Sequence, residues 1–386
     1  MYNTFFLATL ISSIGSIACA LATGIYMVKA GHPLIFAGVT LALARYSSIF
    51  ANLVAPSMTK RLSSKETVLI FESISLVLSI LLIYLWQGSK DSITFFVAVY
   101  ALRSFCSAVP SGARAGFTKE ISKDSLVDNT RTATLLNKAT QGAALFAGLV
   151  IFFAYKRLSF EWIIGFDALT FLLSSVAFYW MMQKEKKIVA PKNTPRQSFF
   201  DGFKSYFRLD KRLVIEDILW AATGSGATIY AIRLLQDNQS LVPLVMSLYG
   251  LAVWIGGFLT NKLSKVNSAY IWAACGIAFV CLSFASLQIY ILLFFVLIKD
   301  VFRWTVLHRL SGNIQFAASQ QEFSSMFSSR QVLLGIVFAS GEWIFGALNN
   351  YVSISTDSIF RGFLCAIAAC AIWLFQTKKG KTCIAS

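Results

Sequence analysis

Hydrophobic residues fall in long runs along almost the whole chain, and polar residues separate the runs at regular intervals. A helix that spans a membrane needs about 20 mostly apolar residues. Scanning at that length predicts twelve spans, arranged as six, a polar segment and six more. The predicted spans are residues 4–29, 33–57, 67–86, 92–114, 133–155, 160–182, 213–235, 240–260, 267–286, 288–309, 329–350 and 357–376.

The polar segment between the two sets of spans reads QKEKKIVAPKNTPRQSFFDGFKSYFRLDKR, residues 183–212. It has two prolines, many basic residues and an amphipathic stretch around Phe199–Phe207. Aromatic and basic residues in such a stretch favour the membrane surface. We therefore expect a six-helix half at 1–182, a cytoplasmic basic connector at 183–212 and a second six-helix half at 213–386.

The two halves repeat each other at corresponding places. SMTKRLSSK (57–65) follows the second span, and FLTNKLSK (258–265) follows the eighth at an offset of 201 residues. At nearly the same offset, Arg103 of the fourth span corresponds to Arg303 of the tenth. Two halves related by an axis along the membrane normal are typical of transporters. The predicted fold is an all-α membrane protein with twelve transmembrane helices in two pseudo-symmetric six-helix halves.

Composition supports the membrane assignment, and the charges predict an orientation. Of the 386 residues 56% are hydrophobic and 13% are charged, whereas a soluble domain has about 25% charged residues. The net charge of +16 falls mainly in alternate loops, which is the positive-inside pattern and not a nucleic-acid site. We expect a bacterial inner-membrane protein with both termini in the cytoplasm. The seven cysteines form no CxxC pair, so no metal site and no cofactor are expected.

Ionisable residues interrupt several spans, although a charge at the bilayer centre costs about 2.5–3.5 kcal/mol. Such residues face the bundle interior or a wet cavity, where a guanidinium group suits a carboxylate or a phosphate. The alternative is that they form buried salt bridges, and Asp300 is placed to pair with Arg303. The residues near mid-span that we predict to bind an anionic substrate are Arg45, Arg103, Lys299, Asp300 and Arg303.

Coupling to protons requires a carboxyl group that changes protonation, and burial favours its neutral form. Three acids have no obvious partner in their own helix and are candidates for this role: Asp167, Glu216 and Glu342. Ionisable residues within about a turn and a half of a span's cytoplasmic end are expected to form structural ion pairs. These residues include Glu72, Arg114, Glu216, Asp217 and Arg330.

The loop sequences resemble the major facilitator superfamily, which carries a Gly-x-Leu-x-Asp-Arg-x-x-Arg-Arg type motif after its second span. The second-half copy, GFLTNKLSK (257–265), has Asn261 in the Asp place, while the first-half copy has Pro56 for the Gly and Lys60 for the Asp. The resemblance covers essentially the whole chain and implies a central cavity lined by spans 1, 4, 7 and 10. It also implies gating residues, for which the candidates are Arg61, Arg114, Asn261 and Lys262.

Two stretches are similar to siderophore and drug exporters of the enterobactin-exporter type. They are VPSGARAGFTKEIS (109–122) and EWIIGFDALTFLLSSVAFYWMM (161–182). This resemblance implies alternating-access, proton-coupled export of an amphipathic organic anion such as a siderophore-like carboxylate. The expected partners are that small anion, protons and membrane lipid, and the expected oligomeric state is a monomer.

Three other functions remain open from the sequence. A lysophospholipid flippase of the same fold would need the same cations, and an importer of an anionic iron chelate or nutrient would differ only in direction. A membrane sensor or scaffold without transport is favoured by the departures at Pro56 and Lys60. An enzyme is not expected, because no catalytic cluster is present in the sequence.

Overall fold

The computed structural model describes residues 2–29, 34–58, 62–87, 93–122, 125–154, 157–184, 199–225, 235, 241–284, 289–347 and 352–382. Within these ranges the regular structure is helical, with no strand. The first half contains α1 (Tyr2–Lys29), α2 (Leu34–Met58), α3 (Ser64–Gln87), α4 (Ile93–Ala108), α5 (Pro110–Ile121), α6 (Leu126–Thr140), α7 (Ala144–Ala154) and α8 (Phe160–Lys184). The remainder contains α9 (Phe199–Arg208), α10 (Lys211–Gly224), α11 (Val242–Lys262), α12 (Ser268–Ser283), α13 (Ile289–Ala317), α14 (Gln320–Ala347) and α15 (Ile354–Thr382).

Seven stretches of the described chain are long and apolar enough to cross a membrane, so the protein is a multi-pass membrane protein. Helices α13 and α14 are longer than most of these stretches, and α13 holds Lys299, Asp300 and Arg303 within about one turn. The amphipathic stretch of the connector is confirmed as the helix α9. The seven stretches are Asn3–Met27, Ser64–Gln87, Ile93–Ile121, Leu126–Ala154, Phe160–Gln183, Val242–Lys262 and Ile354–Leu374.

Four helical spans extend seven to nine residues beyond the ends that hydropathy predicts. All four extensions lie at the end of the bundle where α9 lies, which we call the connector end. The fourth span continues to Ile121 and the tenth to Ala317, while the fifth begins at Leu126 and the eleventh at Gln320. The added turns are polar, yet they stay helical because α5 packs on α14 and α6 packs on α13. Hydropathy along the chain does not detect such contacts between distant helices.

Two spans contain breaks that the sequence explains. Pro110 has no N–H and its ring crowds the carbonyl of Cys106, which separates α4 from α5. Residues 141–143 separate α6 from α7, and there the carbonyl of Gly142 accepts a hydrogen bond of 3.2 Å from the indole of Trp254. Gly148, further along, lies against Ser247 of α11. The small residues of the fifth span therefore allow α11 to pack closely against it.

Each half has its own hydrophobic core, and the connector end joins the two halves. In that joint, Phe5, Phe117 and Phe178 of the first half form one cluster with Leu310 and Phe323 of the second. Large apolar side chains on the outer faces of the helices remain exposed in the isolated chain, as a lipid-facing surface requires.

Candidate functional site

Arg103 lies inside the first half, where α8 supplies its partner. Its Nη2 lies 2.5 Å from Oδ1 of Asp167, and its Nε donates to Oδ2 of Asp167 at 2.9 Å and to Oγ of Ser79 at 3.1 Å. Arg103 is 2% exposed and Asp167 is 0% exposed. The structure thus places Arg103 in a buried salt bridge, the second of the two roles left open by the sequence, and gives Asp167 a partner from another helix.

Two further ion pairs lie nearer the connector end, one in each half. Arg114 binds Glu72 of α3, whose Oε1 also accepts a hydrogen bond of 2.9 Å from Ser12 of α1. In the second half, Arg330 of α14 donates from Nε and Nη2 to both carboxylate oxygens of Asp217 at 2.5 and 2.6 Å. These residues form the structural ion pairs expected from their depth. The gating role of Arg114 stays a prediction.

Asp217 also fixes the connector helix. The Tyr206 hydroxyl of α9 donates to Oδ2 of Asp217 at 2.7 Å. Burial, followed by the neighbouring Asp217 carboxylate, raises the pKa of the Tyr206 phenol. The phenol therefore stays protonated and remains a donor, and the connector helix is tied to α10.

The second half pairs its mid-span charges differently from the expectation. Asp300 binds Lys299, with Nζ and Oδ1 2.8 Å apart, and not Arg303. The guanidinium group of Arg303 turns instead toward α10, where Nη2 donates to the carbonyl of Trp220 at 3.1 Å and Cζ lies 4.3 Å from the centre of the Trp220 ring. Arg303 is 2% exposed, its Nε has no hydrogen-bond acceptor, and no carboxylate of the described residues lies within salt-bridge distance.

Aromatic side chains surround Arg303. The rings of Trp220 and Trp304 lie 5.4 Å apart, and Tyr249 lies 5.3 Å from Trp304. The Tyr249 hydroxyl is within electrostatic reach of Arg303, Asp300 and Arg45, although Arg45 belongs to the first half. Arg45 is exposed on α2. Three of the five predicted substrate ligands, Lys299, Asp300 and Arg303, lie within about one turn of α13, while Arg103 lies apart in the first half.

Another buried arginine, Arg361 of α15, was not identified from the sequence. It binds Asp357 at 2.8 Å, and its Nη1 donates to the carbonyls of Thr223 and Ser225 at 3.0 and 2.7 Å. A comparison of the sixth and twelfth spans could have found it, because FD at 166–167 corresponds to FR at 360–361. Arg361 thus stands where the first half has Asp167, and no acid of the described residues lies within ion-pair distance of Arg303.

Glu216 differs from the other described buried acids of the spans, because it does not form the structural ion pair that its depth predicted. It is 4% exposed, and its Oε1 accepts a hydrogen bond of 3.2 Å from the Trp272 indole. Arg212 and Arg309 act on it electrostatically from a greater distance than an ion pair. The other buried acids, each bound to a cation, are Glu72, Asp167, Asp217, Asp300 and Asp357.

The remaining candidates lie at the surface or beyond the described side chains. Asn261 and Lys262 are exposed at the end of α11, with Nζ of Lys262 4.6 Å from the centre of the Phe258 ring. Arg61 lies outside the described residues, and Glu342 lies in α14 where the side chains are not described. The described residues contain no group of three or more His, Cys, Asp or Glu placed to hold a metal ion.

Buried hydrogen bonds join the two halves at the connector end. Lys119 donates to the carbonyl of Gln315 at 2.8 Å, and the Gln315 amide donates to Thr132 at 2.8 Å. Ser324 donates to the carbonyl of Gly112 at 3.0 Å. Together with the aromatic cluster, these bonds close the connector end of the bundle.

Comparison with known proteins finds relatives of full length. No protein-family model matches the chain. An uncharacterized MFS-type transporter of Bacillus subtilis (strain 168), YfmI, is 22% identical over 369 residues, which are 89% of this chain and 88% of YfmI. A solved structure of a bacterial homologue of the iron transporter ferroportin, outward-facing with soaked iron, is 10% identical with a TM-score of 0.71, over 96% and 97% of the two chains. The solved structure of the human organic anion transporter MFSD10 (TETRAN) is 12% identical with a TM-score of 0.73. That match covers 96% of this chain and 98% of the MFSD10 chain.

Proposed function

Because the chain has the fold of the major facilitator superfamily transporters, we propose that it carries a small organic anion across the membrane by alternating access. The proposed negative charge of the substrate is supported by the state of Arg303. This arginine is buried and has no carboxylate partner among the described residues. A buried charge without a counter-charge costs several kcal/mol. An anionic ligand would supply the missing counter-charge.

The groups around Arg303 indicate how such an anion would bind. The Trp220 ring fixes the plane of the guanidinium group, whose planar fork suits a carboxylate or a phosphate. Arg45 lies on α2 of the first half and acts electrostatically on Tyr249, as Arg303 does, so an anion bound by both arginines would contact both halves. A substrate that contacts both halves couples its binding to their relative movement. Lys299 stays partly neutralised by Asp300 and has a supporting role.

Within this class we propose an amphipathic carboxylate of the siderophore type, moved by proton-coupled export. The aromatic rings of Trp220, Tyr249 and Trp304 beside the cation favour a ligand with an apolar body as well as a charge. The human neighbour MFSD10 is an organic anion transporter, which supports the charge class.

The test of the substrate class is ligand-induced thermal stabilisation of the detergent-purified protein. The panel contains citrate-type siderophores, lysophospholipids and cationic drugs. An anion at about 100 Kd should stabilise the wild type by roughly 2.7 kcal/mol, and this effect should be lost in Arg303→Gln. Arg131→Gln, at an exposed position of α6, is the matched control and should respond as the wild type does.

Two results would overturn the anion proposal. Cationic drugs that stabilise wild type and Arg303→Gln equally, with no effect of any anion, would show that Arg303 is structural. Stabilisation by lysophospholipids alone, together with scrambling of a labelled lipid in vesicles, would identify a flippase of the same fold instead.

For proton coupling we propose Glu216, the described buried acid that has no ion-pair partner. Its surroundings are the Trp272 indole and, further away, Arg212, Arg309 and Asp217. Glu216→Gln should remove the response of anion flux to an imposed pH gradient in proteoliposomes while anion binding persists. Glu161→Gln, in the first turn of α8, is the control. Wild-type flux that ignores the gradient would exclude proton coupling altogether.

A further inference from the structure

The connector helix α9 has one face that packs on the bundle. Gly202 and Tyr206, four residues apart, form this face and are both buried. A Cβ at Gly202 would collide with the backbone of Ser325 and Met326 in α14. Ser329 donates to the carbonyl of Phe199 at 2.9 Å. The helix is therefore held at a fixed position against α14.

The adjacent face of α9 is aromatic, with Phe200 and Phe207 exposed and Phe203 half-buried. Phe200, Phe203 and Phe207 are three and four residues apart and so share one side of the helix. Phe200 is 79% exposed and Phe207 is 47% exposed. Phe203 and Phe207 contact each other, with ring centres 4.7 Å apart. Rings exposed in this way need an apolar partner outside the chain.

Cations follow the aromatic face around the helix. Lys204 and Arg208 are four residues apart and both exposed. At about 100° per residue, the order around α9 is the bundle face, then the phenylalanines, then the two cations. The whole connector, 183–212, carries nine Lys or Arg residues and three Asp or Glu residues. Its charge is therefore complementary to an anionic surface.

The depth of α9 matches the bilayer interface. It contacts α14 at residues 325–329, just before the apolar run that begins at Val332. Aromatic rings favour the headgroup level of a bilayer, and neighbouring Lys and Arg side chains reach its anionic groups. A free phosphate in solution would satisfy the cations but would leave the phenylalanines exposed.

We infer that α9 binds the headgroups of anionic lipids, with Lys204 and Arg208 at the phosphates and Phe200, Phe203 and Phe207 at the acyl boundary. Lipid binding by α9 also affects the bundle, because Tyr206 of α9 and Arg330 of α14 bind the same Asp217 carboxylate of α10. Anionic lipid therefore stabilises the arrangement in which α9, α10 and α14 are joined. This inference does not depend on the identity of the substrate.

The test is hydrogen–deuterium exchange of the peptide that covers α9, in nanodiscs of phosphatidylcholine with and without phosphatidylglycerol. At about 1 kcal/mol for each basic residue near an anionic surface, exchange in the wild type should slow on the order of tenfold or more with the anionic lipid. High salt should reverse the effect. In K204Q/R208Q the two lipid mixtures should give the same exchange.

The matched control is R131Q/K265Q, which removes two exposed cations from the same end of the molecule. It should keep the lipid dependence of the wild type. Equal exchange of wild-type α9 in both lipid mixtures would overturn the inference, and so would a control that loses the dependence as fully as K204Q/R208Q does. Neither readout involves transport, so the outcome stands apart from that of the anion proposal.

Discussion

Buried arginines at corresponding places in the two halves have different neighbours. Arg103 makes two hydrogen bonds to Asp167, and both residues are almost fully buried. Arg303 has a carbonyl group and an aromatic ring around its charge. Removal of one partner from a buried ion pair costs about 3–5 kcal/mol, because the other charge is left uncompensated. The two arginines should therefore respond differently to mutation.

Asp167→Asn should lower the free energy of unfolding by about 3–5 kcal/mol. The double variant Arg103→Gln/Asp167→Asn removes both charges and should be less destabilised than the sum of the single variants. Thermal melts of the purified proteins, arranged as a double-mutant cycle, measure this coupling. If the effects simply add, the two side chains do not act as a pair. A stable Arg103→Gln that no longer binds an anion would instead assign Arg103 to the substrate.

At the scale of elements, the end of α10 contacts two buried arginines of the second half, Arg303 and Arg361. Helix α10 ends at Gly224, and the carbonyls of Thr223 and Ser225 there accept hydrogen bonds from Arg361. A Cβ at Gly224 would overlap the guanidinium group of Arg303. The glycine thus leaves room for the guanidinium group of Arg303, which would have to shift if a Cβ were added.

Gly224→Ala should displace Arg303 and abolish the stabilisation of the protein by anions. Alanine favours a helix by about 1 kcal/mol over glycine, but this gain does not offset the collision with a buried guanidinium group. Gly165→Ala is the control, since its Cβ would meet only Cδ1 of Ile83 at 3.9 Å. Anion-dependent melting temperatures compare the two variants. Unchanged anion binding in Gly224→Ala would show that the position of Arg303 is not needed.

At the scale of the molecule, the connector end is closed by contacts between the halves. Lys119, Thr132 and Gln315 form a buried polar network across the joint, and the aromatic cluster lies beside it. Alternating access requires these contacts to break in one state of the cycle. The Glu72–Arg114 and Asp217–Arg330 pairs lie within single halves, so they can persist when the halves separate.

A disulfide across the joint should lock the transporter. A Cβ at Gly116 would lie 3.3 Å from Cβ of Ser324, close to the spacing that a disulfide needs. Oxidised Gly116→Cys/Ser324→Cys should still bind the anion but lose its transport into proteoliposomes, and reduction should restore transport. The single variants and oxidised wild type are the controls. Continued transport with a cross-link verified by mass spectrometry would show that the connector end need not open.

Local features of the sequence determined the class of fold. The apolar runs identify helices and membrane spans because burial in lipid is a property of each segment by itself. The same holds for α9, whose aromatic and basic positions follow a helical period. Pro110 likewise fixes the break between α4 and α5 through its own ring.

Only the tertiary structure decided which charges pair and where the helices end. Asp167 lies 64 residues from Arg103 along the chain, and Asp300 binds its neighbour Lys299 and not Arg303, because α10 draws the Arg303 side chain away. The polar turns at the connector end stay helical through contacts with the opposite half. In each case the deciding energy comes from a group that is distant in sequence and brought near by helix packing.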